Sequence, residues 1–544
     1  MNSLKEKGKS ERLFSIVLTV LLLAFLGMIF YVNLSCNPDY YDGDIYNDIN
    51  YAKEAWKAKS IFPKDWIFGN QTYVVATPVL AALFYGITGN GFTAMAIASC
   101  IMTVLVVLTY DWMTRTLFSY NERTAGFLCL MGALLIKAHV ATSQQGLQAF
   151  FTMASYYSCY LINAFVVYGC YVRIRQKNFG KKHIVMAVIG VALSFGTGMQ
   201  SLRQTAVMAL PLVGCEVLMI IIYSIKEKKF AITSSSAFAA VVFVSNIAGL
   251  IAMKFIEINQ NSIYGTTEFV KSFKVFCDKV FFNIEYVCLT FGPDSLEVRP
   301  RIAVSMIFLL IIFAAFVLCT VDFFKGRCVE QRYFTLMVVL ALGCVSVFAI
   351  GVLLDIVSRA LYFFMIYPLF SVCISYIILR FPKKRSLLFS AVVILVAVTL
   401  SYRTVESVRE IKVGKDENST AHQIADYMLD NGYDTIYSTF GLSTLVDGAE
   451  DVVVASGDRI HLVQHKRADK SDAMKPVDFL CVKDDFKNRD NKKSLYIVRD
   501  LELPYVEEIT KKYGVKMTKV AEFDEGKVLY AMSENLCAII AAQG

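Results

Sequence analysis

Runs of about 18 or more apolar residues, the length a helix needs to cross a bilayer core, recur through the first 403 residues of this chain and then stop. They fall near 13–33, 91–110, 124–142, 151–172, 184–202, 204–224, 231–254, 301–321, 333–355, 358–379 and 386–402. Eleven membrane-spanning helices are therefore predicted. A further run, Tyr73–Thr88, is shorter and carries Pro78. In lipid the backbone must satisfy its own hydrogen bonds, so the expected architecture is a polytopic α-helical membrane protein.

Charge divides the chain at the same place. Residues 1–403 hold 35 basic and 21 acidic side chains, and residues 404–544 hold 19 and 25. Over all 544 residues only 18% are charged and 56% are apolar, against roughly 25% charged in a soluble protein. One large soluble globule and a disordered chain are both excluded. The net +8 comes from short loops between apolar runs, so no nucleic-acid partner is expected. Most of the 14 cysteines lie inside apolar runs, where Cys acts as a small hydrophobe. No CxxC or Cys/His spacing suits zinc.

The division predicts a membrane module, 1–403, and a soluble α/β domain, 404–544. In the latter, Ala421–Asp430 and Pro504–Tyr513 read as helices. Thr435–Ser438, Asp451–Ala455, Phe479–Val482, Leu495–Val498, 516–523 and 527–532 read as strands. No GxGxxG, Walker or GxSxG pattern supports a nucleotide-binding or hydrolase tail.

Basic residues set the expected topology. Lys5, Lys7, Lys9 and Arg12 precede an apolar run with no small-residue cleavage site, which reads as an uncleaved first span. If 73–88 dips without crossing, the N-terminus, Arg115/Arg123, Arg173–Lys182, Lys226–Lys229, Lys325–Arg332 and Arg380–Arg385 share one side. Eleven crossings then place the N-terminus in the cytoplasm and the tail outside. Two long outer loops remain, 34–72 (to 90 with the dipping run) and 255–300, and chemistry is expected on their face.

The first outer loop begins NPDYYDGDIYNDINYAKEAW, with Asp39, Asp42, Asp44 and Asp48 inside ten residues. Helical spacing puts Asp44 and Asp48 on one face. Like charges so close raise at least one pKa, which suits a general base. The competing reading is a solvated acidic turn capping a helix. Asp42-Gly43-Asp44 spells DxD, which elsewhere holds a metal–nucleotide, but an outward-facing loop meets no nucleotide sugar.

This stretch resembles the C-type integral-membrane glycosyltransferases, which use lipid-linked sugars and include protein O-mannosyltransferases and aminoarabinose transferases of lipid A. Their acidic residue after the first span matches Asp44, and their small residue eight positions later matches Ala52. Gly69, Tyr73 and Pro78 are similar to a later family pattern. The usual following Glu is Ile45, and the Lys before Pro is replaced by Ala76-Thr77. The resemblance covers about 90 residues closely. It implies a bacterial multi-pass cell-membrane enzyme whose donor is a polyprenyl-phosphate sugar, and many such enzymes also end in an outer soluble domain.

A phosphate leaving group calls for cations at the outer face, and Arg binds phosphate with a planar fork. Arg203 lies in Gly196-Thr-Gly-Met-Gln-Ser-Leu-Arg, where glycines would let the backbone approach a ligand. Arg359 opens the tenth span, with Tyr362 three residues on and on the same helical face. Arg359 followed by an aromatic also looks like the family's late-span phosphate site. Each arginine could instead snorkel to headgroups, and Asp355 could pair with Arg359. Lys137 and His139, with Gln144 and Gln145 after them, are polar groups in or beside a span that could line a groove. In the second loop, Glu268, Asp278, Glu285, Asp294, Glu297, Arg299 and Arg301 could close over a site or simply be solvated. Trp56 and Trp66 could stack on sugars or belt the interface.

The expectation is an inverting transfer of sugar from a polyprenyl phosphate to an acceptor glycan, lipid or protein at the cell envelope. Asp44 would be the base, Asp42 or Asp48 would tune it, and Arg203, Arg359 and Tyr362 would hold the phosphate. No cofactor is required, and a divalent metal is compatible with the scheme. The alternatives are a lipid or solute transporter with an outer accessory domain, which would be sensitive at Lys137, and a non-catalytic surface sensor.

Overall fold

The computed structural model describes residues 2–35, 43–137, 157–228, 232–261, 268–292, 297–325, 331–356, 358–414, 418–440, 448–469 and 473–543. The chain is a polytopic helical membrane protein. Among the described residues nine helices are long and apolar enough to cross a bilayer: Ser10–Ser35, Gly91–Thr114, Lys181–Gln200, Thr205–Ile225, Ser234–Met253, Val298–Phe324, Arg332–Leu353, Ala360–Arg380 and Pro382–Arg409.

In chain order the elements begin α1 (Asn2–Ser35), α2 (Gly43–Ala58), β1 (Trp66–Phe68), α3 (Thr77–Thr88), α4 (Gly91–Thr114), α5 (Tyr120–Lys137), α6 (Ser158–Arg175) and α7 (Lys181–Gln200). A π-helical turn, Thr205–Ala209, leads into α8 (Leu210–Glu227), and α9 (Ser234–Met253) and β2 (Asn259–Gln260) follow. Next come α10 (Phe273–Cys288), α11 (Val298–Phe324), α12 (Gln331–Leu353), a 3-10 turn (Ala360–Phe363), α13 (Ile366–Arg380) and α14 (Arg385–Gly414).

The bundle has two distinct ends. At the end far from the tail, charges that enter the slab are paired, as their desolvation demands. Asp111 meets Arg115 and Arg123, Asp322 meets Arg380 at 2.7 Å, and Glu122 meets Arg385 at 3.1 Å. The helix α5 starts at that end, and its last turn accepts a 2.7 Å hydrogen bond from Arg403 at the other, through the Leu135 carbonyl. The helix α6 has Tyr160 hydrogen-bonded to Gln71 at the tail side, while Arg175 pairs with Glu216 toward the far end.

The helix α3 is held to 12 residues by Pro78 in its first turn and by Gly89, which closes it at φ +68°. Twelve residues rise about 18 Å, short of the roughly 30 Å hydrocarbon core. Close contacts join neighbouring helices where side chains are absent. A Cβ on Gly249 would stand 2.1 Å from the Phe195 carbonyl, and one on Gly198 would stand 2.2 Å from that of Asn246. Those glycines draw α7 and α9 together.

The tail continues α15 (Thr420–Asp430), β3 (Thr435–Thr439), α16 (Ala449–Ala455), β4 (His461–His465), β5 (Cys481–Val482), β6 (Ser494–Arg499), α17 (Leu503–Tyr513), β7 (Met517–Phe523), β8 (Lys527–Met532) and α18 (Leu536–Gln543). A five-stranded sheet runs β4-β3-β6-β8-β7, with β4, β3 and β6 parallel and β8 antiparallel to β6 and β7. Strand alternation sorts its core. Ile436, Leu495, Ile497 and Leu529 face α15 and α16, while Tyr437, Tyr496, Val498 and Tyr530 face α17 and α18.

Two local expectations need correction. Asp451–Ala455 is helical, not a strand: its valines favour a strand, but Asp451 accepts a hydrogen bond from the Gly448 N–H and caps a helix start. Cys481–Val482 pairs outside the tail sheet. It lies antiparallel to β1, Trp66 opposite Val482, and β1 also runs parallel to β2, Ile67 opposite Asn259. The loop after α1, the loop after α9 and the tail therefore meet at one end of the bundle.

Candidate active site at the tail-side end

The helix α2 carries the acidic cluster. Ile45, Tyr46, Ile49, Tyr51, Ala52 and Ala55 are all buried on it. Ile45, Tyr46 and Ile49 share an apolar core with Ile424, Met428, Val452 and Leu462 of the tail. Asp48 is 1% exposed and accepts a 2.5 Å hydrogen bond from the Tyr73 hydroxyl. Around it Tyr51 packs on Tyr73, Trp66 and Phe68, with ring centroids 4.6, 5.8 and 5.8 Å apart. Burial, and then the nearby Asp48 carboxylate, push the Tyr51 phenol well above its usual range. Asp44 stands in the first turn of α2, and helical spacing puts positions 44, 48 and 52 along one face. The Asp44 side chain, Asp42 and Asp39 lie outside the described residues.

The second cluster forms around Arg203, between α7 and the π-helical turn. Its guanidinium lies 5.0 Å from the Tyr157 ring centre, 5.2 Å from Tyr362 and 5.8 Å from Tyr160. Three rings within about 6 Å make a cation–π cage. Its Nη1 donates to Gln71 Oε1 at 3.3 Å, and the side chain keeps partial access to solvent. Arg203 and Tyr362, far apart in sequence, are thus brought together.

A short segment joins the two clusters. Gln71 holds Arg203, and Tyr73, two residues on, holds Asp48. Between them Thr72 N–H donates to the Gln200 carbonyl at 3.1 Å. The Gln200 side-chain oxygen accepts from the N–H groups of Val74 and Val75 at 3.3 and 3.2 Å. Gln200 in turn donates to the Tyr160 hydroxyl at 3.2 Å. Gln71, Gln200, Tyr157 and Tyr160 were not singled out from sequence. Gln71 and Gln200 are legible only as polar side chains at the ends of apolar runs, and Tyr157 and Tyr160 only as tyrosines inside one.

Other expected residues fall differently. Arg359 is exposed and extended (φ −139°, ψ 150°), and it precedes the 3-10 turn rather than sitting in a helix. The shared helical face with Tyr362 is therefore replaced by a turn, closed by the Tyr362 N–H on the Arg359 carbonyl at 3.0 Å. Asp355 meets Lys279 at 3.4 Å. Gly196 and Gly198 serve close packing, not ligand approach: a Cβ on Gly196 would stand 2.7 Å from Val75. Trp66 is buried core at 1% exposure, and Trp56 packs beneath Lys59. Glu268 pairs with Lys271, while Asp278 and Glu285 are exposed on α10 and Glu297, Arg299 and Arg301 fall at the start of α11. The Lys137 side chain, His139, Gln144, Gln145 and Asp294 lie outside the described residues.

The tail closes over α2. Lys53 pairs with Asp458 at 2.5 Å. Burial and the carboxylates of Asp458 and Glu450 push the Tyr46 phenol upward. A small cleft of about 100 Å³ opens between α2 and the sheet, with Asn47, Asn50, Lys57, His461, Gln464 and Asp485 in its wall. Burial alone would raise the Asp485 carboxyl, but His461 at 2.6 Å and Arg489 outweigh it and hold it low. Among the described residues no three His, Cys, Asp or Glu side chains converge as a metal site.

Comparison with models of known protein families returns no match for this chain, and comparison with curated proteins returns none either.

Proposed function

We propose that the chain is a membrane glycosyltransferase that moves a sugar from a polyprenyl-phosphate donor to an extracytoplasmic glycan, lipid or protein. The reading rests on one observation. A buried carboxylate on the helix after the first span, Asp48, and a tyrosine-caged cation, Arg203, are joined by the segment Gln71–Tyr73 at one end of a helical bundle.

In this reading an acceptor hydroxyl attacks the anomeric carbon, and the bond from that carbon to the phosphate oxygen breaks with inversion. Asp44 takes the acceptor's proton. Asp48, fixed by Tyr73, tunes Asp44 or orients the acceptor. Asp42 stands beside them in sequence. The departing phosphate takes up the negative charge, and Arg203 and Arg359 stabilise it. Tyr362 holds the Arg203 plane. A divalent ion is compatible with this scheme and is not required.

Counting α5 and α6 with the nine apolar helices gives eleven crossings. An even number then separates β1, β2 and β5, in keeping with their pairing at one end. The basic residues near Arg115, Arg173, Arg332 and Arg380 gather at the far end, which supports a cytoplasmic N-terminus and an extracytoplasmic tail in a bacterial cell membrane.

Purified chain in vesicles, given a panel of polyprenyl-phosphate sugars and an envelope extract as acceptor, should release polyprenyl phosphate. Asp44→Asn should abolish that release at unchanged protein level. A chain that releases nothing from any donor, or an Asp44→Asn variant with full turnover, overturns the reading. A chain that moves the intact lipid-linked sugar across the vesicle bilayer without cleaving it, and loses that movement in Lys137→Ala, would favour transport instead.

A further inference from the structure

We infer that α10, in the loop between α9 and α11, is a half-inserted helix whose aromatic stripe lies among the acyl chains of the tail-side leaflet. Its occupant is bilayer lipid, and the inference stands apart from the enzymatic reading.

Three observations carry it. The first is the helix's own pattern. Phe273, Cys277, Phe281, Ile284 and Cys288 recur at helical spacing, and Phe273 and Phe281 are 81% and 72% exposed. Lys274, Asp278 and Glu285 form a narrow exposed stripe beside them, with Phe282 and Val275, 55% and 40% exposed, on its other side. A chain in water does not leave bare phenylalanines in a row. One apolar stripe next to one charged stripe is the pattern of a helix lying in the interface plane. Phe255 and Phe269, before α10, are likewise exposed, at 83% and 71%.

The second observation is depth. The chain leaving α10 descends into the bundle core. Phe291 is wholly buried, with ring centroids 5.0 Å from Phe308, 5.3 Å from Phe370 and 5.5 Å from Tyr367. Its N–H donates to Ser305 Oγ at 3.1 Å. Ser305 is seven residues into α11, so this contact lies about 10 Å along that helix. The C-terminal end of α10 therefore leads into the depth of the spans. The irregular backbone at that depth is shielded by protein, as lipid requires: the Thr290 carbonyl accepts from the Tyr367 hydroxyl at 3.1 Å.

The third is anchoring. Lys279 donates to the Ile356 carbonyl at 2.8 Å and meets Asp355 at 3.4 Å. Asn283 packs where Gly351 has no side chain, since a Cβ there would stand 2.6 Å from its Oδ1. The helix is thereby held beside the last turn of α12 and the turn that presents Tyr362. At 16 residues and about 24 Å, with four charged residues, α10 does not span.

The test uses the full chain in phosphatidylcholine vesicles that include a phosphatidylcholine with a diazirine on the upper part of its acyl chain, at the depth of an interfacial helix. After photolysis, mass spectrometry maps the adducts. The expected result is labelling of Phe273, Phe281 and Ile284, several-fold above Lys274, Asp278 and Glu285, with α11 labelled as the internal standard. An unlabelled α10 beside a labelled α11 overturns the inference, as does equal labelling of both stripes. Phe281→Glu should lower the Ile284 adducts several-fold and leave those on α11 unchanged; unchanged Ile284 labelling would likewise contradict it.

Discussion

At the scale of single residues, the account turns on how a charge is kept in place near lipid. Asp48 is buried among aromatic rings and held by Tyr73. A buried acceptor that loses a charge-assisted partner costs about 1–3 kcal/mol. Tyr73→Phe should therefore lower the unfolding midpoint of the detergent-solubilised chain by several degrees, and an unchanged midpoint would show that Tyr73 does not support Asp48. In the tail, burial pushes the His465 imidazole down to about 4, with Nδ1 facing the Lys466 carbonyl at 3.0 Å. Unfolded histidine titrates near 6.5. Below that pH the unfolded chain takes a proton that the fold refuses. Stability is full above about 6.5 and is lost as pH falls toward 4, by about 2 kcal/mol at pH 5. The protection factors of the β3 and β4 amides, taken against the intrinsic exchange rate at each pH, should fall by about tenfold or more between pH 7 and pH 5, and by less in His465→Phe. Equal pH dependence in the two would contradict this assignment.

At the scale of elements, close approach is the constraint most open to test. The Phe195 carbonyl occupies the space a side chain at 249 would need. Overpacking against a backbone atom cannot be relieved by a rotamer and costs about 1–3 kcal/mol or more. Gly249→Val should reduce the monodisperse fraction on size-exclusion after mild heating, and a wild-type profile would show that α7 and α9 can separate freely. This is also the scale at which sequence reading succeeds and fails most clearly. Most long spans are legible because each needs about 20 apolar residues in a row. The α10 stripe is not legible in a loop that reads equally as a cover over a site or as solvated, because periodicity does not say which faces the rest of the fold leaves bare. Asp451–Ala455 misled because three consecutive valines outweighed the acidic cap before them. Arg203 and Tyr362 were each legible as residues at the mouth of a span. Their meeting is expected only through the phosphate they are assigned to share; the cation–ring cage itself is not legible, since it depends on how α7 packs against the turn before α13. Arg359 read as helical because the apolar run begins beside it, whereas the backbone there is still extended.

At the scale of the whole molecule, three separate parts of the chain build one end. The strands β1, β2 and β5 come from the first loop, the second loop and the tail, and the core beneath the tail is completed by α2. A chain ending at Gly414 would expose Ile45, Tyr46 and Ile49 and leave an edge of β1 unpaired. It should be recovered mainly as aggregate, and monodisperse recovery would show that the membrane module stands without its cover. The charge division at residue 403 made two parts legible. It could not show that the acidic helix of the first part lies inside the core of the second, because apolar residues on a short amphipathic helix do not name their partner.

The central claim is that Arg203, in its cage of tyrosines, receives the phosphate of a polyprenyl carrier. The most direct measurement is binding of undecaprenyl phosphate to the purified chain in lipid nanodiscs, read by native mass spectrometry. The account predicts saturable binding that weakens at least about tenfold, roughly 1.4 kcal/mol, in Arg203→Ala and is only partly restored in Arg203→Lys, which lacks the planar fork. Wild-type chain that binds no undecaprenyl phosphate, or an Arg203→Ala variant that binds it equally well, would contradict it.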